Sequence, residues 1–184
     1  LTTASLLAND TDPDTGDTLA VAGFDTVTAL GIAINIDAAG NLVFDIGNRY
    51  EYLAQGQTVT DTFSYTISDS AGALSTAQVN LAIIGNNDAA VTLADVASVQ
   101  EDVAVMATGN VLANDSDVDQ DTVLTIVNAG TFNGIYGQLV LNADGNYSYA
   151  LNNGSLAVQS LAAGQIVTET FAYQASDGIA VTPS

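Results

Sequence analysis

The sequence predicts an all-β fold built from tandem β-sandwich modules, and three observations support this prediction. Short runs rich in Val, Ile, Thr, Tyr and Phe alternate with turn residues along most of the 184 residues. No stretch has the periodicity of an amphipathic helix of ordinary length. The whole pattern occurs twice, each time over the length of a domain. About seven short strands per copy, with a turn roughly every 8 to 12 residues, are typical of an Ig-like Greek-key sandwich.

The two copies can be aligned by segments that recur along the chain. Leu7-Ala8-Asn9-Asp10 matches Leu112-Ala113-Asn114-Asp115, and residues 53–65 match residues 161–173. We predict a boundary in the polar run Gly85-Asn86-Asn87-Asp88, with modules at residues 1–88 and 89–184. The first module then lacks its first strand and the second lacks its last strand, so we expect the chain to be a fragment of a longer protein.

Two strands of the first module show which residues face its core. Residues 58–67 alternate, and Val59, Phe63, Tyr65 and Ile67 share one face. Asp61 has the same parity, and we expect it near the start of the strand. In residues 77–84 the face turned to the core is formed by Ala77, Val79, Leu81 and Ile83.

Hairpins are predicted where turn residues separate two β-rich runs. Residues 142–145 contain Asp-Gly and join residues 139–141 to residues 146–149, which is a strong hairpin signal. Residues 38–41 play the same part in the first copy. Short helical turns fit residues 48–54 and 154–163.

The charge of the chain excludes several classes of function. Arg49 is the one cationic side chain against 21 acidic residues, which gives a net charge of −20. Such a chain repels nucleic acid and anionic membrane surfaces.

The absence of Cys and His argues against disulfides, zinc sites and nucleophile–base pairs, and Lys is absent as well. No apolar run is long enough for membrane insertion. A paired-carboxylate hydrolase survives in principle, but the acids lie in turns, so we predict that the protein is not an enzyme.

The acidic side chains are concentrated in two similar stretches. Residues 114–121 carry a carboxylate at every second position after the apolar run 111–113, and residues 9–17 repeat the pattern after residues 6–8. Carboxylates packed this closely repel one another. A hard cation with oxygen ligands neutralises them, and Ca²⁺ takes six to eight such ligands. We therefore predict Ca²⁺, with a plain Asp-rich turn as the alternative.

The Ig-like topology indicates which acidic residues meet. Its B–C and F–G loops lie at one end of the sandwich, where the linker that precedes strand A also enters. If residues 111–113 end strand B and residues 171–175 form strand F, acidic side chains converge there. Glu101 follows strand A and should lie at the opposite end, with a solvated turn as the alternative. The predicted ligands at the first end are Asn87, Asp88, Asp115, Asp117 and Asp177, and in the first copy Asp10, Asp12 and Asp69.

The residues in these motifs resemble a known family. Residues 109–117, residues 164–173 and Ser176-Asp177-Gly178 resemble the VCBS and cadherin-like repeats of large bacterial RTX-type surface adhesins. The resemblance covers nearly the whole chain. It implies calcium-dependent tandem sandwiches in an extracellular location on the bacterial cell surface. Such repeats belong to secreted adhesins involved in attachment and biofilm formation.

More distant similarities to cadherins concern single motifs. Residues 63–69 resemble the cadherin Ala-x-Asp stretch, Asn87-Asp88 resembles the linker, and Asp115-Ser116-Asp117 resembles the Asp-x-Asp pair. The chain departs at Gly85-Asn86, where an acidic residue is expected. An EF-hand is excluded because its twelfth position would be Val21 or Ile126 instead of Glu.

This resemblance, together with the acidic clusters, leads us to predict an extender repeat whose junctions are stiffened by Ca²⁺. Its partners would be the neighbouring modules of the same chain, with weak glycan or homotypic contacts in addition. The alternative is a calcium-dependent glycan- or protein-binding module. Its candidate binding face is formed by Tyr136, Tyr147 and Tyr149, for which cross-strand packing is the other reading.

Overall fold

The chain divides into two compact units, unit 1 (Leu1–Asn86) and unit 2 (Asn87–Ser184). The structure is a computed structural model and describes residues 1–183. The division follows Asn86 and falls inside the polar run 85–88, so Asn87 and Asp88 are the first residues of unit 2. The described part of the chain has no helix that is long and apolar enough to cross a membrane.

Unit 1 consists of two antiparallel sheets. One contains three strands in the order β1-β4-β5, and the other pairs β2 with β3. The hairpin predicted around residues 38–41 is confirmed, because Gly40 adopts a positive φ of 82° in the turn between β2 and β3. The strands are β1 (Ala20–Phe24), β2 (Ala33–Ile36), β3 (Leu42–Asp45), β4 (Thr58–Ser68) and β5 (Leu74–Ile84).

The sequence reasoning missed a short helical start to unit 1. Helix α1 (Thr3–Leu6) is capped by Thr2, whose hydroxyl accepts a hydrogen bond from the Ser5 N–H, and a 3-10 turn (Leu7–Asn9) follows. Residues 48–54 form turns instead of the predicted helical turn. Four-residue helices carry too little periodicity to be recognised from sequence.

The core of unit 1 lies between its two sheets. Phe63 and Tyr65 of β4 pack with Ile34 of β2 and Leu42 of β3, and Leu6 closes one side. The predicted inward face of β4 is correct. Asp61 is also on that face, inside the strand and only 1% exposed. On β5 the residues Val79, Leu81 and Ile83 are half-buried, whereas Ala77 is exposed.

Unit 2 is a sandwich of a four-stranded and a three-stranded sheet. The orders are β6-β10-β9-β8 and β12-β11-β7. The predicted hairpin is present as β9, the turn at residues 142–145, and β10. Helix α2 (Leu156–Gln159) lies in the segment predicted to contain a helical turn. The strands are β6 (Met106–Asn110), β7 (Thr125–Ile126), β8 (Gly130–Asn133), β9 (Gly137–Leu141), β10 (Asn146–Leu151), β11 (Gln174–Ser176) and β12 (Val181–Pro183).

Both sheets of unit 2 contribute to one core. Leu139 and Leu141 of β9 pack with Ile126 of β7 and Ala175 of β11. Two strands are displaced from their predicted limits: β6 ends at Asn110, just before the apolar run 111–113, and β11 begins only at Gln174. Both segments still supply core side chains, since Val111 and Tyr173 are buried. The all-β prediction is confirmed.

Candidate metal centre

The acidic stretch of unit 2 leaves the core immediately after β6 and folds as a loop. Val111 is buried, and the Ser116 N–H donates to the carbonyl oxygen of Val91 across 3.0 Å while Val91 donates back across 2.7 Å. Further along, the Asp119 N–H donates to Asp117 Oδ1 at 2.8 Å. This turn, in which an aspartate accepts from the backbone two residues ahead, is favoured by Asp. It brings the carboxylates of Asp117 and Asp119 into one loop.

The first two residues of unit 2 bind to this loop and to the end of β11. The side-chain N–H of Asn87 donates to Asp177 Oδ2 at 3.0 Å. The Asp88 N–H donates to Asp119 Oδ2, also at 3.0 Å. Hydrogen bonds therefore connect three separate segments of unit 2. We refer to Asn87, Asp88, Asp117, Asp119 and Asp177 as the unit 2 cluster.

Two oxygens of the unit 2 cluster are buried without a hydrogen-bond partner. Asp119 is only 5% exposed, and its Oδ1 atom has no partner among the described residues. The same is true of Asp117 Oδ2. An ionised carboxylate that is buried without compensation is unfavourable. The sole cationic side chain, Arg49, belongs to unit 1. The donor set of carboxylates and an amide suits a hard cation such as Ca²⁺, although among the described residues only unit 1 brings oxygens of three carboxylates within 4.8 Å of one another.

Asp177 stays ionised readily because several donors surround it. Burial raises its pKa, but the Asn87 side chain and the N–H groups of Ile179 and Ala180 outweigh burial and hold the pKa below its usual value. Both N–H groups donate to Asp177 Oδ1 at 2.6 Å. Asp177 therefore offers a negative charge at the end of β11.

Asp115 was predicted to join these residues, but its hydrogen bonds run elsewhere. Its Oδ1 accepts from the Leu93 N–H at 2.8 Å, and its Oδ2 accepts from the Tyr173 hydroxyl at 3.0 Å. The same hydroxyl lies 3.1 Å from the carbonyl oxygen of Val111 and 3.3 Å from Asp95 Oδ2. Asp115 thus fastens the start of the acidic loop and the segment around Leu93 to the core tyrosine.

In unit 1 the aspartate that corresponds to Asp115 is Asp10, and it also contacts a tyrosine hydroxyl. The Tyr65 hydroxyl lies 2.9 Å from Asp10 Oδ2 and 3.1 Å from the carbonyl oxygen of Leu6. Burial and the charge of Asp10 raise the pKa of Tyr65, so the phenol stays protonated and can donate. The corresponding pair in unit 2 behaves alike, since burial and Asp115 raise the pKa of Tyr173.

A second acidic cluster is found in unit 1. Asp12, Asp17 and Asp69 each place one carboxylate oxygen within 4.8 Å of the other two. We refer to these residues as the unit 1 cluster. All three are half-buried, and Asp69 also accepts from the Ala73 N–H at 2.8 Å. Asp12 and Asp69 were predicted here, whereas Asp17 was not.

Glu101 has its contacts in another part of unit 2. Its Oε1 atom accepts from the Gln159 side chain at 2.7 Å, and the neighbouring Asp102 accepts from Asn153, also at 2.7 Å. None of the hydrogen bonds of Glu101 in the described chain reaches the unit 2 cluster. These bonds tie the turn at residues 101–102 to the segment that contains α2.

Sequence reasoning missed Asp119 and Asp17, although a signal for each was present. Asp119 continues the every-second-residue spacing that singled out Asp115 and Asp117. Its importance depends on burial and on the bond from Asp88, which the spacing does not reveal. Asp17 follows Gly16, whose φ of 98° is accessible mainly to glycine and reverses the chain toward Asp12 and Asp69.

Of the three tyrosines considered for a binding face, two have side chains that pack against the core of unit 2. Tyr147 and Tyr149 pack against the core, and the Tyr149 ring lies 6.1 Å from that of Phe171. The Tyr149 hydroxyl donates to Glu169, and the Tyr136 N–H donates to the same carboxylate at 3.3 Å. The open groove beside the acidic loop, with a volume of about 630 Å³, has no aromatic lining residue. These contacts fit cross-strand packing.

Comparison with known proteins gives one family. The model of the bacterial cadherin-like domain matches residues 1–85 and again residues 87–184. Both matches coincide closely with the two units. No curated protein matches the sequence. Domains of this type are all-β modules of a structural and adhesive kind.

Proposed function

Because the chain belongs to the bacterial cadherin-like domain family along both of its units, we propose that it is a calcium-rigidified extender repeat of a secreted cell-surface adhesin. The parent would be a large RTX-type protein with VCBS-like repeats that acts in attachment and biofilm formation. The chain itself would carry out no catalysis. It would bind neighbouring modules of the same protein and hold a distal binding domain away from the cell.

The observation that carries this proposal is the pair of buried oxygens without partners, Asp119 Oδ1 and Asp117 Oδ2. They lie on a loop that is already bonded to Asp88, whose neighbour Asn87 is bonded to Asp177. Ca²⁺ accepts six to eight oxygen ligands from carboxylates, amide carbonyls, backbone carbonyls and water. A bound ion would neutralise the carboxylates and give the two oxygens a partner.

The proposed mechanism is mechanical and depends on where unit 2 begins. Asn87 and Asp88 follow directly on Asn86, the last residue of unit 1. An ion that holds these two residues to Asp119 and Asp177 would fix the direction in which the chain enters unit 2. Without the ion, repulsion among the carboxylates would loosen this entry. The stiffness of an array of such repeats would therefore depend on the calcium concentration.

The calcium part of the proposal can be tested by calorimetry of the intact chain in EGTA, Mg²⁺ and Ca²⁺. We expect Ca²⁺ to stabilise the protein by about 2.7 kcal/mol when it is present at about 100 times its dissociation constant. Mg²⁺ should have a much smaller effect, because it requires a tighter octahedral shell and dehydrates reluctantly. A transition that is the same in all three solutions would exclude calcium.

The mechanical part requires a measurement of shape. Small-angle scattering should give a longer maximum dimension in Ca²⁺ than in EGTA. The variant Asp117→Ala with Asp119→Ala should resemble the EGTA state even in Ca²⁺. The matched control is Asp12→Ala with Asp14→Ala, which changes the corresponding positions of unit 1. Equal effects of the two double variants, or none from either, would contradict stiffening through Asn87 and Asp88.

A further inference from the structure

The last strand of unit 1 is followed by two further backbone hydrogen bonds. Strand β5 ends at Ile84, which pairs with Thr58 of β4. Beyond it, the Gly85 N–H donates to the carbonyl oxygen of Gln57 at 2.8 Å, and the Gly85 carbonyl oxygen accepts from the Gly56 N–H at 3.1 Å. Both polar groups of the Gly85 backbone are therefore bonded to the turn that precedes β4.

Position 85 has no room for a side chain. A Cβ atom on Gly85 would lie 2.2 Å from the carbonyl oxygen of Leu53 and 2.5 Å from that of Ala54. These are backbone atoms, and Leu53 is 4% exposed in the core of unit 1, so they cannot easily move aside. Glycine thus lets the chain lie directly against residues 53–57. We refer to Gly85 with its two backbone bonds as the Gly85 clamp.

The residue that follows the Gly85 clamp has no such bonds. Asn86 is exposed and makes no hydrogen bond within the described chain. Directly after it the chain is held again, because the Asn87 side chain and the Asp88 N–H both donate to carboxylates of the unit 2 cluster. The bonds on the two sides differ in kind. Those of the Gly85 clamp join uncharged backbone groups, whereas those of Asn87 and Asp88 end on mutually repelling carboxylates.

We infer that the Gly85 clamp is permanent and that the unit 2 cluster is a switch, so that all bending of the chain between the units takes place within residues 86–88. Backbone bonds between uncharged groups need no cation, so the clamp persists when Ca²⁺ is removed. The switch rests on the proposed function. With Ca²⁺ bound, the freely rotating backbone is confined to Asn86; without it, repulsion among the carboxylates also releases Asn87 and Asp88. A few residues at the end of an element are enough for a hinge.

Hydrogen exchange of the intact chain, resolved to single amides by NMR, tests the clamp and the switch separately. The Gly85 and Gly56 amides should exchange at least about 100-fold more slowly than the Asn86 amide, equally in Ca²⁺ and in EGTA. The Asp88 amide should exchange more slowly in Ca²⁺ than in EGTA. Fast exchange of Gly85 in both solutions would overturn the clamp. An Asp88 amide that does not respond to Ca²⁺ would overturn the switch and the proposed function, but not the clamp.

The variant Gly85→Ala removes the clamp. Because the added Cβ meets the Leu53 carbonyl oxygen, the amides at positions 56 and 85 should exchange at least about tenfold faster in both solutions. The matched control is Gly23→Ala in β1 of unit 1, where a Cβ has no neighbouring atom within 4 Å. It should leave both amides unchanged. Equal acceleration by the two variants would reflect general destabilisation of unit 1 and would overturn the role assigned to Gly85.

The variant Asn86→Gly tests the hinge and leaves the clamp intact. Asn86 has no hydrogen bond to lose, so both units should keep their fold. Glycine gives the backbone more freedom, and small-angle scattering in Ca²⁺ should therefore show a broader distribution of dimensions than for the parent chain. Asn48→Gly, at an exposed turn position of unit 1, is the control and should not change the scattering. Identical scattering from Asn86→Gly and the parent would show that bending takes place elsewhere and would overturn the inference.

Discussion

In both units a tyrosine hydroxyl at the matching position of the repeat forms a hydrogen bond with the first aspartate of the acidic loop. Tyr65 approaches Asp10 in unit 1, and Tyr173 approaches Asp115 in unit 2. Four residues further on the units diverge. Asp14 is exposed, whereas Asp119 is 5% exposed and accepts from the Asp88 N–H. The local turn is nevertheless the same. The Asp14 N–H donates to Asp12 Oδ1 and the Asp119 N–H donates to Asp117 Oδ1, each at 2.8 Å.

This difference shows that the repeated motif determines the loop but not the burial of its carboxylates. In unit 2 a segment outside the motif contacts the loop, since the Asp88 N–H donates to Asp119 Oδ2. In unit 1 the carboxylates of Asp12, Asp17 and Asp69 lie close together instead, and all three are half-buried. The two clusters should therefore differ in how strongly stability depends on their charges and on Ca²⁺.

A second contrast concerns two carboxylates at matching positions of the repeat, Asp61 in β4 of unit 1 and Glu169 in the segment before β11 of unit 2. Asp61 in unit 1 is 1% exposed and accepts from the Thr28 hydroxyl, from the Leu30 N–H at 2.9 Å and from the Thr62 N–H at 2.7 Å. Glu169 occupies the matching position in unit 2 and is only half-buried. It accepts from the Ile135 N–H at 2.7 Å. Each carboxylate holds a neighbouring loop against its sandwich.

The largest expected effect follows from this contrast. Asp61→Ala leaves the Thr28 hydroxyl and the Leu30 N–H without an acceptor in a buried site. We expect unit 1 to lose about 3 kcal/mol of unfolding free energy. Glu169→Ala should cost unit 2 about half as much, because water can reach the groups it leaves. Urea unfolding followed by hydrogen exchange resolves the two units. A greater loss for Glu169→Ala would show that burial does not determine the difference.

Sequence patterns predicted what depends on alternation and local turns. The inward face of β4 and the hairpin at residues 142–145 follow from side-chain period and from Asp-Gly. The same alternation gave Asp61 the parity of the inner face, but we set it aside as a residue near the start of the strand. The structure buries it there, where it accepts from Thr28 and Leu30. Asp119 and Asp17 were missed because their surroundings are supplied by residues distant in sequence. Asp115 was predicted as a ligand from its spacing, which cannot show that the Tyr173 hydroxyl donates to it.

The next effect concerns calcium and is intermediate in size. Asp119→Ala removes one of the two carboxylates with a buried oxygen that has no partner. We expect unit 2 to lose about 1–2 kcal/mol of its stabilisation by Ca²⁺, since the remaining ligands bind the ion more weakly. In EGTA the same variant should cost little or even stabilise, because repulsion is relieved. Titration calorimetry measures the affinity for Ca²⁺, and hydrogen exchange resolved by unit measures the stability of unit 2 in Ca²⁺ and in EGTA.

Asp14→Ala is the matched control for that prediction. Asp14 makes the same backbone turn as Asp119 but is exposed and is not part of the unit 1 cluster. It should leave the calcium response of both units unchanged. If Asp14→Ala and Asp119→Ala reduced the response equally, general charge and not the buried site would account for calcium binding.

The smallest expected effect concerns acid. In unit 1 burial raises the pKa of Asp61, but the Thr28 hydroxyl, the N–H groups of Leu30 and Thr62, and Arg49 outweigh it, so the pKa is lowered. In unit 2 partial burial raises the pKa of Asp95; the Tyr173 hydroxyl lowers it, and the charge of Asp115 raises it further, for a net rise. The two groups therefore respond to pH with opposite sign.

A group whose folded pKa is lowered stabilises the fold above its unfolded pKa of about 3.9, and this contribution is lost as the pH falls through the folded pKa. Asp61 should make unit 1 less stable on acidification. Asp95 has a raised pKa, so it destabilises unit 2 at neutral pH and this penalty disappears as the pH falls through its folded pKa. In EGTA, between about pH 5 and pH 3, unit 2 should consequently lose less stability than unit 1. Asp95→Asn should make unit 2 more stable at neutral pH and should steepen its loss in acid. Unit-resolved exchange over this range measures the slopes, and a slope in unit 2 that Asp95→Asn leaves unchanged would show that the Asp95 carboxyl is not held against Tyr173 and Asp115 in solution.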